Sequence, residues 1–378
     1  MNFDYTEEQN MLKDSVARFV QDQYDFDARC KNAALDDGFS RENWSTFAEL
    51  GWLSVPFAEE HGGFGGSVID TMLLMEEFGK GLVLEPFLST VVLFGGLLNK
   101  GGSASQQDNN IGAIIEGSLQ GAVAFNERQS RFELSDVKTT ASETSNGYSL
   151  SGEKTVVFNG LVADKLIVSA RTSGAQSDHS GISLFMVDAN AEGVSKASYR
   201  MMDGQIVANI SLENVAVSAE AVVGQVGEGL GLLQSVVSEA IVAVGAEAVG
   251  IMDKLHSTTV EYTKTREQFG VAIGSFQVLQ HRMVEMFMEC EQVRSILYRA
   301  ACSVAGQQQD AEKDVLALKV LIGRAGKLVG DEALQIHGGI GMTDELDVGH
   351  YTKRLMMINT LFGDADYAQQ KFAALSVA

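Results

Sequence analysis

The stretches Arg266-Glu267-Gln268-Phe269-Gly270 and, further along the chain, Gln335-Ile336-His337-Gly338-Gly339-Ile340-Gly341 carry the strongest signal for the fold. Each is flanked by long sequence in which apolar residues recur at helical spacing. Together they combine a cation, amide side chains and exposed glycine backbone, a set of groups that suits a large phosphate-bearing cofactor. We therefore expect a cofactor site at helix ends in the last third of the chain.

Long helical patterns surround both stretches. They cover Leu230–Arg266, Phe276–Ala305 and Ala311–Ile336, and none of the three contains a proline. Helices of this length, joined by short breaks, are typical of a bundle. The sequence predicts a C-terminal four-helix bundle over residues 227–378.

The central part of the chain has a different pattern. Short runs rich in Val, Ile, Thr, Tyr and Phe are separated by Gly, Asn, Asp and Ser, which is typical of strands and turns. The predicted strands include Tyr148–Lys154, Lys165–Ala170, Ser183–Asp188 and Ala208–Leu212. Several strands at such spacing predict a small β-barrel or sandwich over residues 116–226.

The first part of the chain is predicted to be helical. Thr6, followed by Glu7 and Glu8, has the pattern of an N-cap with an acidic first turn. A second helix runs from Glu42 through Leu50, and Gly51 is placed to end it. The whole chain is therefore expected to be an α+β multidomain protein with a helical domain at 1–115, a β-domain at 116–226 and a bundle at 227–378.

Composition limits the classes of partner. The 378 residues include 28 basic and 50 acidic ones, a formal net charge of −22, which disfavours nucleic acid and anionic membrane surfaces. Three scattered cysteines predict neither a disulfide framework nor a zinc site, and no metal site is expected. No basic leader or apolar run of ~20 residues is evident, so we expect a cytoplasmic protein without a membrane anchor.

In their order and spacing, several motifs resemble the acyl-CoA dehydrogenase family over essentially the whole chain. Besides the two stretches quoted first, the matching motifs are Phe3-Asp4-Tyr5-Thr6-Glu7-Glu8-Gln9, Leu50-Gly51-Trp52, Glu59-Glu60-His61-Gly62-Gly63, Gly152-Glu153-Lys154 and Phe276-Gln277. The resemblance implies an FAD cofactor, an acyl-CoA substrate and an electron-transfer flavoprotein as electron acceptor. It also implies a homodimer or homotetramer, or a heterotetramer with a paralogous subunit.

The resemblance implies a set of residues that bind FAD. In the family, the positions of Arg266, Gln268 and Phe269 reach the FAD of the neighbouring subunit. The positions expected along its adenosine diphosphate half are Gln277, Gln335, Gly338 and Gly339. The β-domain departs from the family's Thr-Glu-Pro segment, and the residues expected near the flavin there are Asn126, Phe158 and Asn159.

The catalytic base is where the chain departs most from the family. Acyl-CoA dehydrogenation needs a carboxylate that takes the α-proton while the flavin accepts the β-hydride. Counting in register from Arg354 places Gly363 at the usual Glu position and Asp364 one residue later. At the alternative family position, on the first bundle helix, stands Ala240, and the Arg that commonly follows is Ile241.

Three interpretations of this departure are open. Asp364 could replace the Glu, with Gly363 giving the backbone freedom to shift. Glu239 lies beside the alternative position, but one residue along a helix rotates a side chain by roughly 100°, away from the site. Third, the chain could be one subunit of a heteromeric enzyme whose partner has an intact site, because Phe362-Gly363-Asp364-Ala365 resembles the terminus of the small subunits of pimeloyl-CoA and steroid side-chain dehydrogenases.

Two classes of function follow from these interpretations. One is an FAD-dependent acyl-CoA dehydrogenase, active alone or with a paralogous subunit. The other is a non-catalytic structural or regulatory subunit that keeps the fold. A different flavin chemistry on the same fold, such as oxygen-dependent monooxygenation, is a third option.

Overall fold

The computed structural model describes residues 5–377, which form two compact units. Unit 1 contains residues 5–31, 68–83 and 241–377, and unit 2 contains residues 32–67 and 84–240. Both units draw on distant parts of the chain and cut across the three predicted domains, whose boundaries stay a prediction. Phe3 and Asp4 of the N-terminal motif lie outside the described residues.

The helices and strands are numbered in chain order. The helices are α1 (Glu7–Gln23), α2 (Phe26–Ala33), α3 (Arg41–Glu49), α4 (Val68–Gly81), α5 (Gly96–Gly101), α6 (Ala104–Ile115), α7 (Gly229–Thr265), α8 (Gln277–Ala305), α9 (Ala311–His337), α10 (Asp347–Thr360) and α11 (Ala365–Val377). The strands are β1 (Gly121–Ala124), β2 (Thr140–Thr144), β3 (Gly147–Phe158), β4 (Lys165–Arg171), β5 (Ile182–Asp188), β6 (Val194–Arg200), β7 (Ile206–Ser218), β8 (Val222–Val223), β9 (Glu267–Gln268) and β10 (Val271–Ala272).

Helix ends follow the predicted capping residues. Thr6 accepts a hydrogen bond from Gln9 N, and the Gln9 side chain bonds back to Thr6 N, which completes a capping box at the start of α1. Gly51, at φ 78°, follows the end of α3 in the left-handed conformation that favours glycine. Both predictions are confirmed.

α9 is the helix around which the bundle in unit 1 is built. It packs against α8, α10 and α11. It also lies close to the middle of α7, because a Cβ on Gly245 would come within 3.0 Å of Leu318 and 3.1 Å of Ile322. The long helices begin and end within one residue of the predicted segments, so the predicted helical C-terminal domain is confirmed.

One guanidinium joins three helices of unit 1. Arg294 on α8 donates to Glu76 of α4 at 2.8 Å and also to Asp253 of α7. Its Nε lies 3.3 Å from Glu291 on its own helix. Because Glu76 is buried, the arginine compensates a charge that would otherwise be costly inside the unit.

The β-domain in unit 2 is an open mixed sheet. Its strands run in the order β6-β7-β3-β2-β4-β5-β8, with β1 pairing in parallel with β4 through Ala122 and Leu166. The predicted central β-domain is confirmed, but no closed barrel forms among the described residues, which corrects the expectation of a barrel. The edge strand β6 carries Lys196 and Arg200, and charged residues on an edge disfavour further pairing.

α7 continues through the boundary between the units, which falls between Ala240 and Ile241. In the described chain it is the one helix whose length and apolar composition would allow it to cross a membrane. However, 83% of its most apolar window is buried inside the protein. Such burial is typical of a core helix.

Candidate functional site

A tight hairpin follows the end of α7. β9 and β10 pair antiparallel, and the two residues between them, Phe269 and Gly270, have φ values of 54° and 80°. Two consecutive positive φ values are those of a type I′ turn, which usually carries Asn-Gly. A phenylalanine in this conformation is strained, and Phe269 is 93% exposed. Strain that holds an aromatic ring in solvent is a feature of binding sites.

The second predicted stretch begins where α9 ends. Gly338 has φ 65°, and its N–H donates to the carbonyl of Leu334. A Cβ on Gly338 or Gly339 would meet no atom within 4 Å. The backbone here therefore faces open space and can be approached closely.

Two stacked rings bring these stretches together. Tyr262, near the end of α7, stacks on His337, the last residue of α9, with ring centroids 4.3 Å apart and planes at 25°. The His337 Nδ1 lies 2.8 Å from the Ala333 carbonyl oxygen. We call residues 266–272 and 335–341 together the clamp.

The polar groups of the clamp and of the start of α8 are available for a ligand. Arg266, Gln277 and Gln335 are exposed, and within residues 5–377 none of their side chains has a hydrogen-bond or ion-pair partner. Gln268 differs, because its Nε2 donates to Glu267 O at 2.8 Å. One free guanidinium, two free amides and open glycine backbone match the donors that a pyrophosphate requires. The residues present therefore fit FAD.

The residues of the β-domain that were predicted near the flavin lie in unit 2. They differ in burial and in the hydrogen bonds that they make within the unit. Asn159 is buried at φ 60°, and its Nδ2 donates to Gln120 Oε1 at 3.1 Å and to Thr90 Oγ1 and Gly121 O at 3.3 Å. Its amide is thus used inside the unit. Asn126 and Phe158 are half-buried, and the Asn126 carbonyl accepts from Thr155 N at 2.9 Å.

A buried ion pair next to Asn126 was not predicted. Glu127 Oε1 accepts from Lys154 Nζ at 2.7 Å, and both side chains are buried. Burial would raise the pKa of Glu127, but Lys154, together with hydrogen bonds from Gln129 and Thr139, lowers the pKa to about 2. Burial lowers the pKa of Lys154 to about 8, against the field of Glu127. The sequence signal that could have predicted this pair is Lys154, because a lysine at a buried position of a strand needs an acidic partner.

The usual base position is built around glycine. Gly363 is buried at φ 117°, and a Cβ there would lie 2.7 Å from Tyr367 Cδ1. Phe362 before it also has positive φ, 58°. A glutamate at position 363 would therefore meet both backbone strain and the ring of Tyr367.

Asp364 acts as a helix cap. Its Oδ1 accepts from Tyr367 N at 2.8 Å, the bond that an N-cap makes to the third residue of a helix, here α11. The side chain is half-buried. One oxygen of the predicted replacement base therefore holds the start of α11, while its catalytic role stays a prediction.

The alternative base position holds no carboxylate. Ala240 is fully buried, and Ile241 is also buried. Glu239 forms an ion pair with Lys100 of α5 at 2.9 Å, both within unit 2. This partner gives Glu239 a structural role on the surface of its own unit.

Arg354, from which the register of the base was counted, has a buried partner. Its Nε and Nη2 donate to the two carboxylate oxygens of Glu247 on α7, at 2.6 and 2.9 Å. Such a bidentate pair is costly to break inside a protein. It fixes α10 against α7 and thereby the direction in which the chain enters position 361.

Comparisons with known proteins agree with this geometry. Sequence models of the acyl-CoA dehydrogenase N-terminal, middle and C-terminal domains match residues 6–118, 122–215 and 227–374. An L-prolyl-[peptidyl-carrier protein] dehydrogenase of Serratia sp. is 28% identical, and the alignment covers 99% of this chain and 97% of the relative.

Two solved structures are similar over the whole chain. The FAD complex of PigA is 27% identical with a TM-score of 0.92, covering 100% of this chain and 99% of that one. The ChsE4–ChsE5 complex from Mycobacterium tuberculosis is 26% identical with a TM-score of 0.91, with coverage of 100% and 99%. The chain belongs to the acyl-CoA dehydrogenase family of FAD-dependent CH–CH oxidoreductases.

Proposed function

We propose that this chain is one subunit of a heteromeric acyl-CoA dehydrogenase, in which a paralogous subunit supplies the carboxylate that takes the α-proton. The chemical class is that of the family, α,β-dehydrogenation of an acyl thioester. An electron-transfer flavoprotein is the electron acceptor that we propose. The similarity to the ChsE4–ChsE5 complex supports a partner subunit of related sequence.

The observation that carries this proposal is the surroundings of Gly363. At φ 117° and 2.7 Å from Tyr367 Cδ1, the position favours glycine and leaves no room for a side chain. The neighbouring Asp364 is used as a cap, and the alternative position is Ala240. Among the described residues, neither family position for the base carries a carboxylate.

The clamp gives this chain a role in cofactor binding. The chemistry that bound FAD would supply is acceptance of a hydride from the β-carbon of the thioester. The guanidinium of Arg266 would hold a phosphate oxygen, and the amides of Gln277 and Gln335 would orient the adenosine diphosphate half. The open backbone of Gly338 and Gly339 would admit that half closely.

The test is co-expression with the genes adjacent to its own, followed by native mass spectrometry. The proposal expects a complex with a paralogous chain, containing FAD, that desaturates an acyl-CoA with an artificial electron acceptor. A homomeric preparation that turns over an acyl-CoA at the rate of the complex would contradict it. A colourless protein that cannot be reconstituted with FAD in any assembly would contradict the enzyme class.

A second candidate is a structural or regulatory subunit that takes no part in the chemistry. The absence of a carboxylate at both base positions in the described chain favours it. The two candidates differ at the clamp, because a purely structural subunit has no need of Arg266. If Arg266→Ala leaves both FAD content and turnover of the complex unchanged, the second candidate is preferred.

A further inference from the structure

α9 places one lysine inside unit 1. Lys319 is 1% exposed, and its Nζ donates to Ile358 O at 2.5 Å and to Asn359 O at 3.1 Å. Both carbonyls belong to the last turn of α10, where the usual i+4 donors of the helix are missing. Ile358 O also accepts from the N–H of the C-cap residue Leu361 at 3.2 Å. A side chain from a neighbouring helix therefore completes the end of α10.

Gly323, one turn further along α9, lies against the residues at the end of α10 and the start of α11. A Cβ there would lie 2.2 Å from Asn359 Oδ1 and 2.8 Å from the Cβ of Ala365. Asn359 Oδ1 in turn accepts from Ala365 N at 3.3 Å, at the first residue of α11. Lys319 and Gly323 thus form one surface that holds both ends of residues 361–364, which we call the connection.

We propose that Lys319 is a positioning residue: its amine, bound to the last carbonyls of α10, fixes the path of the connection that carries the family's base position. The role of the connection in the enzyme rests on the proposed function. The positioning itself is a property of this chain and can be measured in it.

The hydrogen-bond count favours a neutral amine. A neutral lysine has two N–H groups and a protonated one has three. Within the described chain, Ile358 O and Asn359 O are the two hydrogen-bond acceptors of Lys319 Nζ. Burial lowers the pKa of Lys319 to about 7. The negative charge of Asp364, in the connection, acts in the opposite direction and raises the pKa.

This state gives the connection a defined dependence on pH. The pKa of Lys319 in the folded state, about 7, lies below its ordinary value of 10.5. The neutral amine therefore contributes its full stabilisation of the closed connection above pH 10.5, and this contribution is lost as the pH falls from 10.5 toward 7. Opening of residues 358–368 exposes the amine to water. We expect this opening to become easier by up to about tenfold per pH unit as pH falls toward 7, and to level off below it.

Hydrogen–deuterium exchange of the full assembled protein tests the proposal. Exchange is measured between about pH 6 and 9, and protection factors of peptides covering 358–368 are compared with those of α8 after correction for intrinsic rates. In the wild type, protection of 358–368 should fall toward pH 7 and then level off. Lys319→Met should abolish this dependence, while Lys327→Met, at an exposed position of the same helix, should keep it.

Two results would overturn the proposal: a flat wild-type profile, or the same profile in Lys319→Met. If Lys319→Met does not fold, Lys319→Arg decides, because an arginine stays charged and should give a flat profile. FAD content is measured on the same samples. A protein without FAD that shows the expected profile would contradict the proposed function and leave the positioning role supported.

Discussion

The same dipeptide, Phe-Gly with positive φ at both residues, occurs twice in unit 1 with opposite surroundings. In the clamp, Phe269-Gly270 points outward: Phe269 is 93% exposed and a Cβ on Gly270 would meet no atom within 4 Å. In the connection, Phe362-Gly363 is enclosed, and the same test at Gly363 meets Tyr367 at 2.7 Å. φ is positive at both residues of each pair, and the packing around the pair decides which position is available to a ligand.

The largest effect is expected from adding one methyl group at each glycine. Gly363→Ala should lower the free energy of unfolding by about 2–5 kcal/mol, because left-handed strain of ~1–2 kcal/mol adds to overpacking of ~1–3 kcal/mol. Gly270→Ala meets open space and should cost only about 1 kcal/mol. Chemical denaturation of both variants measures the difference, and equal losses would refute the contrast.

The clamp should respond to loss of its cation through binding. Arg266→Ala removes a charge-assisted hydrogen bond of ~1.5–3 kcal/mol, so FAD affinity should fall by roughly 10- to 100-fold with little change in stability. Lys264→Ala is the matched control, since Lys264 is an exposed cation nearby that pairs with Glu261. Titration of the apoprotein with FAD provides the measurement. Equal affinity in both variants would exclude Arg266 from the cofactor site.

Asp364 allows its cap and a catalytic role to be separated. Asparagine caps helices as well as aspartate, so Asp364→Asn should leave stability nearly unchanged, while Asp364→Ala should cost about 0.5–2 kcal/mol. If the partner supplies the base, the complex with Asp364→Asn should also keep its dehydrogenase activity. Loss of turnover in Asp364→Asn without loss of stability would identify Asp364 as the base and contradict the heteromeric proposal.

The smallest effect should have opposite signs at the two phenylalanines. Phe269→Asn places a residue that tolerates positive φ in a type I′ turn, so stability should rise by about 0.5–1 kcal/mol. Phe362→Asn also relieves strain, but it removes a half-buried ring, so stability should fall. Thermal unfolding measures both changes. A loss of stability in Phe269→Asn would show that the exposed ring supports the fold.

The sequence predicted the elements whose signals are local. Helix ends were predictable because Thr6 and Gly51 act through their own backbone neighbours. The hydrogen-bond partners of single side chains were harder to predict. Asn159 stays a predicted neighbour of the flavin, but the sequence did not show that its amide bonds to Gln120, Thr90 and Gly121.

The burial of Lys319 was also not predictable from the sequence. In the sequence this lysine is one polar residue in an apolar helical pattern, which resembles an exposed position. Its acceptors are carbonyls, which every residue has, so no residue type in the sequence marks them as a lysine site. Only the packing of α10 on α9 shows that the amine is inside.

Unit 1 consists of three segments that are far apart in the sequence, so it cannot complete its fold until the last segment has been synthesised. The ion pair between Glu76 and Arg294 joins residues 218 positions apart. At roughly 5–20 residues per second, a ribosome needs roughly 10–40 s to supply the arginine after the glutamate. Throughout this interval α4 can pack on α1 but lacks α7 and α8, so the apolar surface that these two helices cover stays exposed in the nascent chain until α8 is made.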